Sequence, residues 1–218
     1  MSGTSADGVD IAACEVNTSE HALKTHAAAT FSYPPDLRRD LLRLSAAGSV
    51  ELGELTILSL GLGRFYSDMI RQFINASQLQ LSAIDLIGSH GQTIAHFGEP
   101  RHSGAYSGYA TLQIGEAEII AKETGIVTVS DFRSGDIAVG GAGAPLAPIY
   151  HALRFVEAGE CRAIVNIGGI ANVTLLRRGG EVSGSDCGPG NCLLDDFMQK
   201  HTDREFDRGG KIASKGEV

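Results

Sequence analysis

Residues 3–10 read Gly-Thr-Ser-Ala-Asp-Gly-Val-Asp, and the apolar run VDIAACEV at 9–16 grows straight out of them. The two hydroxyls of Thr4 and Ser5 and the two carboxylates of Asp7 and Asp10 thus crowd around Gly3 and Gly8 at the mouth of an expected strand. An ordinary β-turn of small residues would use the same glycines. A phosphate site would use more of the stretch. Glycine lets the backbone approach a phosphate closely, and hydroxyls donate to its oxygens. A carboxylate holds Mg2+ through water, because that ion keeps most of its hydration shell. A second strand-turn-strand unit, VNIGGIANVT at 165–174, carries Gly168 and Gly169 at its tip.

The rest of the chain is read outward from these two units. The sequence has 218 residues, 43% of them hydrophobic and 20% charged, enough for a packed core and unlike a disordered chain. A net charge of −8 argues against a nucleic-acid surface, which is usually basic. It does not argue against ATP, whose phosphates are commonly held by backbone N–H groups and a metal. No apolar run approaches the roughly 18 residues of a membrane span, and no basic-then-apolar leader is seen. Cys14, Cys161, Cys187 and Cys192 form no CxxC pair, which points to reduced thiols in a cytosol.

Periodicity and punctuation predict a returning strand at 21–34 and a helix opened by Asp36 and closed by Gly48. A long amphipathic helix is expected at 51–77, on Leu52, Leu55, Leu58, Leu62, Phe65, Met69 and Phe73, with Gly61 and Gly63 as weak points. A strand should end in the loop GSHGQT. Residues 98–110 read as a loop or hairpin, 111–115 as a strand, 116–125 as a helix stopped by Gly125, and 126–132 as a strand. The run DIAVGGAGAPLAP at 136–148 is a linker or a backbone-shaped site. A helix at 147–155, strands at 162–169, 172–178 and 182–186, and a helix at 191–202 follow. Alternating strands and helices predict an α/β protein.

Several common motifs are absent. Gly210-Lys211 lacks the companions of a P-loop, and Gly141 and Gly143 lack the third glycine of a dinucleotide fingerprint. Two more polar turns remain. In GSDCGPGN, glycines bend the chain around Asp186, and Asn191 stands where a helix cap would. Asp186 either caps that helix or is a general base beside an anionic ligand. In SHGQT, His90 and Gln92 end a strand. A structural histidine would fit there too, and His96 makes no metal pair with it.

In their order along the chain, MSGTSADGVD, GSHGQT, LQIGEAEIIAKETGI, VSDFR, GGAGAPLAP, NIGGIANVT, SDCGPGN and FDRGGKIASKG resemble the anhydro-N-acetylmuramic acid kinase family over essentially all of the sequence. The resemblance implies an actin-like (ribonuclease H-like) ATPase fold with ATP in an interdomain cleft. Residues 1–144 would form the first domain, nearly whole, and 145–218 the start of the second. It implies ATP-dependent phosphorylation of 1,6-anhydro-N-acetylmuramic acid with hydrolytic opening of its anhydro bridge. The product, N-acetylmuramic acid 6-phosphate, belongs to cell-wall recycling.

The family's signature falls on Gly3, Thr4, Ser5, Ala6, Asp7, Gly8, Val9 and Asp10 as ATP-binding residues, with Gly168 and Gly169 on the second hairpin. Asp7 and Asp10 would face Mg2+ through water. Asp186 falls on the catalytic aspartate, with Cys187 where the family has Thr. Arg133 looks like a sugar-contacting residue, and His90 and Gln92 are carried with it as substrate-binding. A cytoplasmic enzyme with a small-molecule substrate is implied, no nucleic-acid or membrane partner is, and there is room for a homodimer.

Two departures qualify this. The family has a short apolar strand before the signature, of which only Met1 and Ser2 stand here, and it continues past Val218. The expectation is therefore a chain truncated at both ends. It is either a competent kinase or a catalytically inactive remnant with binding function only. Unpaired sheet edges and an exposed apolar face should then promote oligomerisation.

Overall fold

The computed structural model describes residues 6–17, 19 and 22–217. The chain divides into two compact units: Met1–Asn17 with Leu23–Ala144, and Thr18–Ala22 with Pro145–Val218.

Unit 1 opens with β1 (Gly8–Asn17) and β2 (Ala22–Ser32), paired in a two-stranded sheet. Side chains meet across it: Asp10 with Thr30, Cys14 with Thr25, Glu15 with His26. Helix α1 (Pro35–Ala46) begins one residue earlier than Asp36 would place it, because Pro35 occupies the first turn, where its missing N–H costs nothing. It ends when Ala47 turns extended, before Gly48. Helix α2 (Leu52–Ala76) forms where the apolar spacing predicts it, but of the seven residues that marked it Leu62 and Phe73 are buried, Leu55, Leu58, Phe65 and Met69 are half-buried, and Leu52 is exposed. Leu62, Tyr66, Ile70, Phe73 and Ile74 are buried on one face and meet Leu41 and Leu44 of α1.

The expected strands at 84–88 and 126–132 shrink to two residues each, β3 (Ile87–Gly88) and β6 (Thr128–Val129), paired in parallel. The chain before β3 is taken by a 3-10 turn at Leu81–Ala83, and Asp131 at φ 56° ends the extended run after β6. Residues 98–110 are the outer half of a long antiparallel hairpin, β4 (Gln92–Ser103) with β5 (Tyr106–Ile114), irregular between Phe97 and Arg101. Helix α3 (Ala117–Thr124) stops at Gly125, which takes the left-handed conformation at φ 74°. The stretch read as linker or backbone-shaped begins inside a short helix, α4 (Ser134–Ala138), whose first residue donates N–H and Oγ–H to the Asp131 carboxylate.

Unit 2 contains α5 (Ala147–Phe155), the antiparallel sheet β7 (Arg162–Ile167), β8 (Ile170–Leu176) and β9 (Val182–Pro189) in that order, and α6 (Cys192–His201). Two 3-10 turns close it, Arg208–Gly210 and Ala213–Lys215. The Asp207 carboxylate accepts from the N–H groups of Ala213 and Ile212, and these bonds hold its pKa below the ordinary carboxylate value. The protein is mixed α/β, with β3–β6 as the one parallel pair among the described residues whose direction is assigned.

Candidate active site

The opening cluster is partly visible. Gly3, Thr4 and Ser5 lie outside the described residues. Ala6 is buried at φ 46°, a conformation uncommon outside glycine, so the approach to β1 is tightly constrained. Asp7 is exposed, and its carbonyl accepts from Tyr33 N–H at 3.2 Å. Gly8 sits so close to β2 that a Cβ would lie 2.3 Å from the Phe31 carbonyl oxygen. Val9 turns into the core, and Asp10 turns out, where the Thr30 hydroxyl donates to its carboxylate at 2.5 Å. Among the described residues no three His, Cys, Asp or Glu side chains cluster as a metal cage. Exposed carboxylates at Asp7 and Asp10 are an oxygen-only donor set. Such a set suits a Mg2+ ion that keeps its waters and draws its other oxygens from phosphate.

His90, Gln92 and Arg133 come together in the same unit. The parallel β3–β6 pair continues one step, Ser89 N–H to the Val129 carbonyl at 2.8 Å, and delivers His90 beside the start of α4. His90 is 8% exposed and bonded at both ring nitrogens, to the Gly91 carbonyl and to Arg133 Nε. Burial pushes its pKa below the ordinary histidine value, with Arg133 adding to the effect and the Gly91 carbonyl opposing it. Burial also lowers Arg133 from its ordinary value. Gln92 is 0% exposed, and its amide oxygen accepts from Tyr33, whose hydroxyl also meets Tyr66 at 2.9 Å. As placed, Gln92 braces the loop from inside instead of presenting itself to solvent. Arg133 Nη1 donates to the Gly143 carbonyl at 2.7 Å, and Gly143 N–H donates to Asp136 at 2.8 Å. Asp136 and Thr30 were not singled out from sequence: Asp136 opens the glycine-rich run at 136–148, which was read for its backbone, and Thr30 lies in an ordinary strand.

In unit 2 the β7–β8 turn and the start of α6 are tied together. N–H groups of Gly190 and Cys192 donate to the Gly169 carbonyl, and Asn191 N–H donates to the Gly168 carbonyl at 2.7 Å. The Asn191 side chain does not cap α6, as its position suggested. It reaches across to the Ile167 carbonyl at 3.3 Å. Because a trans peptide sets N–H opposite C=O, fixing the Gly168 carbonyl on α6 turns the Gly169 N–H away from it. That N–H has no partner among the described residues. Asp186 stands on β9 opposite Asn172, just past an irregularity in the ladder. It is exposed, and its carboxylate carries no hydrogen bond or ion pair among the described residues.

A sequence model of the anhydro-N-acetylmuramic acid kinase family matches residues 1–218. The chain is 43% identical over 223 residues to the anhydro-N-acetylmuramic acid kinase of Variovorax paradoxus (strain S110), covering 100% of this chain and 58% of that protein. It is 40% identical over 218 residues to that of Pasteurella multocida (strain Pm70), covering 100% and 56%. With that of Saccharophagus degradans it shares 40% over 221 residues, covering 100% and 57%. The chain thus spans little more than half the length of these curated relatives. It belongs to the anhydro-N-acetylmuramic acid kinase family.

Proposed function

We propose that this chain supplies the sugar-opening and phosphate-holding parts of an ATP-dependent anhydro-N-acetylmuramic acid kinase with the actin-like fold. It would act in the cytoplasm, in cell-wall recycling. The observation that carries this is the clamp on the β7–β8 turn. The Gly168 and Gly169 carbonyls are spent on Gly190, Asn191 and Cys192, which leaves the Gly169 N–H for a phosphate oxygen. The segment that makes the clamp begins four residues after Asp186.

In the reaction, the Asp186 carboxylate takes a proton from water, and the water oxygen bonds to the anomeric carbon. The bond from that carbon to the 6-oxygen breaks, and its electron pair stays on the 6-oxygen. The 6-oxygen then attacks the γ-phosphorus of ATP, and ADP leaves with the electrons of the broken bond. Transfer of a phosphoryl group is mostly positioning and charge neutralisation, which is what Gly169 N–H and the stretch from Gly3 to Asp10 offer. Mg2+ held through water at Asp7 and Asp10 would offset phosphate charge there. Arg133 would contact the sugar.

The test is a coupled ADP-release assay with 1,6-anhydro-N-acetylmuramic acid. Sugar-dependent ADP release is expected. Asp186→Asn should lower kcat by roughly 10²–10⁴-fold, the usual worth of a general base, with nucleotide affinity kept. Near wild-type kcat in that variant would sink the assignment of Asp186, and no sugar-dependent release would sink the activity.

A further inference from the structure

The His90 ring satisfies two opposite demands. Its Nδ1 faces the Gly91 carbonyl at 3.0 Å, and its Nε2 faces the Arg133 Nε–H at 3.0 Å. A carbonyl oxygen only accepts, and a guanidinium only donates. The ring is therefore neutral with its proton on Nδ1, a tautomer fixed by its two neighbours. From Arg133 the bonds run on through the Gly143 carbonyl, and from Gly143 N–H to the Asp136 carboxylate. Two of the five guanidinium N–H donors are thus committed, and the other three have no partner among the described residues.

We infer that His90 is a positioning residue: as the Nδ1–H tautomer it holds Arg133 by Nε, so that the uncommitted donors of the guanidinium keep one direction toward the sugar. What Arg133 meets rests on the kinase reading proposed above; how Arg133 is held does not. Protonation would turn Nε2 into a donor, break the bond and set one cation against another. Among the described residues no carboxylate bonds the ring to offset this. Asp131 is engaged with Ser134 and Asp136 with Gly143, and neither bonds the ring. Occupancy of both ring nitrogens also makes a direct sugar contact from His90 unnecessary to explain its place in the loop.

The experiment observes imidazole and arginine side-chain nitrogens in the isotope-labelled chain. The Nδ1–H tautomer is expected, with a nitrogen–nitrogen coupling across the bond from Arg133 to His90 that persists through the ordinary histidine value of 6.5 and disappears as pH falls through the depressed value of His90 below it. His90→Leu should abolish the coupling and speed solvent exchange of the Arg133 Nε–H. His90→Gln, whose amide oxygen accepts in place of Nε2, should restore protection. An Nε2–H tautomer, or an Arg133 signal unchanged in His90→Leu, overturns the inference. Calorimetry with 1,6-anhydro-N-acetylmuramic acid is the second arm. His90→Leu should weaken binding about tenfold, with recovery in His90→Gln, the order expected for loss of one hydrogen bond to a charged group. Equal sugar affinity in wild type and His90→Leu also overturns it. A wild-type chain that binds no sugar but shows the tautomer and the coupling overturns the kinase reading and upholds the holding of Arg133 by His90.

Discussion

At Gly190 the absence of one methyl group keeps the β7–β8 turn and α6 together. A Cβ there would lie 2.2 Å from the Gly168 carbonyl oxygen, the same oxygen that receives the Asn191 N–H. Gly190→Ala must push the turn off the helix start, and overpacking of this kind costs about 1–3 kcal/mol. Urea denaturation should show that loss, and on the phosphate-holding role proposed for the Gly169 N–H, nucleotide affinity should fall with it. His90 sets a different test. Its folded pKa lies below the unfolded value of 6.5, so below that pH the unfolded chain binds more protons than the folded one. The stability it contributes is complete above 6.5 and is lost as pH falls through the depressed folded value. Denaturation midpoints from about pH 8 to about pH 5 should decline more steeply for wild type than for His90→Leu. The polar turns could be picked out from sequence because glycine and aspartate concentrate there. Their partners could not. Arg133 lies 43 positions from His90 and Thr30 lies 20 from Asp10, and no local pattern records such pairs.

Among the elements, α2 was the most legible. Its 25 residues repeat apolar side chains often enough for the helical period to stand out, but the buried face is only partly the expected one: Leu62 and Phe73 are buried, Leu52 is 76% exposed, and Tyr66, Ile70 and Ile74 complete the face. The two glycines that seemed to weaken it have different causes. Gly61 is exposed, with nothing within 4 Å of a Cβ, whereas a Cβ at Gly63 would lie 2.8 Å from the Glu116 carbonyl oxygen, where α3 begins. Gly61→Ala should therefore stabilise the protein by roughly 0.5–1 kcal/mol, the helix-interior cost of glycine. Gly63→Ala should destabilise it, because backbone has to move. Opposite shifts in the thermal midpoint check the pair; shifts of the same sign would contradict it. The short strands β3 and β6 were overestimated because apolar residues around them serve packing and turns, and only two residues on each side find backbone partners. Asn191 was misread for a related reason. A residue at a helix start is expected to bond its own helix, but a carbonyl on the neighbouring hairpin lies within its reach.

Over the whole molecule, apolar burial is uneven. Unit 1 has a continuous core built by α1, α2, α3 and the strands beside them. In unit 2 the buried hydrophobic side chains among the described residues include Leu176 and Met198, while Ile167 is 64% exposed and Leu194 65%. On α6 the exposed Leu193, Leu194 and Phe197 share one stretch of surface at helical spacing, and Ile149 and Leu153 do the same on α5. Fully covering one such side chain is worth roughly 1.5–3 kcal/mol, so any surface that covers several of them is strongly favoured. No helix among the described residues is long and apolar enough to span a bilayer. The 218-residue chain should therefore self-associate through unit 2. Sedimentation velocity should show mass rising with concentration, and Leu194→Glu with Phe197→Lys should shift the distribution toward monomer. Hydrogen exchange offers an independent check, because protection follows buried contact: α2 amides should exchange far more slowly than those of β7. A chain that stays monomeric at every concentration, with β7 as protected as α2, would mean that the exposed apolar side chains of unit 2 are covered in solution by its own residues.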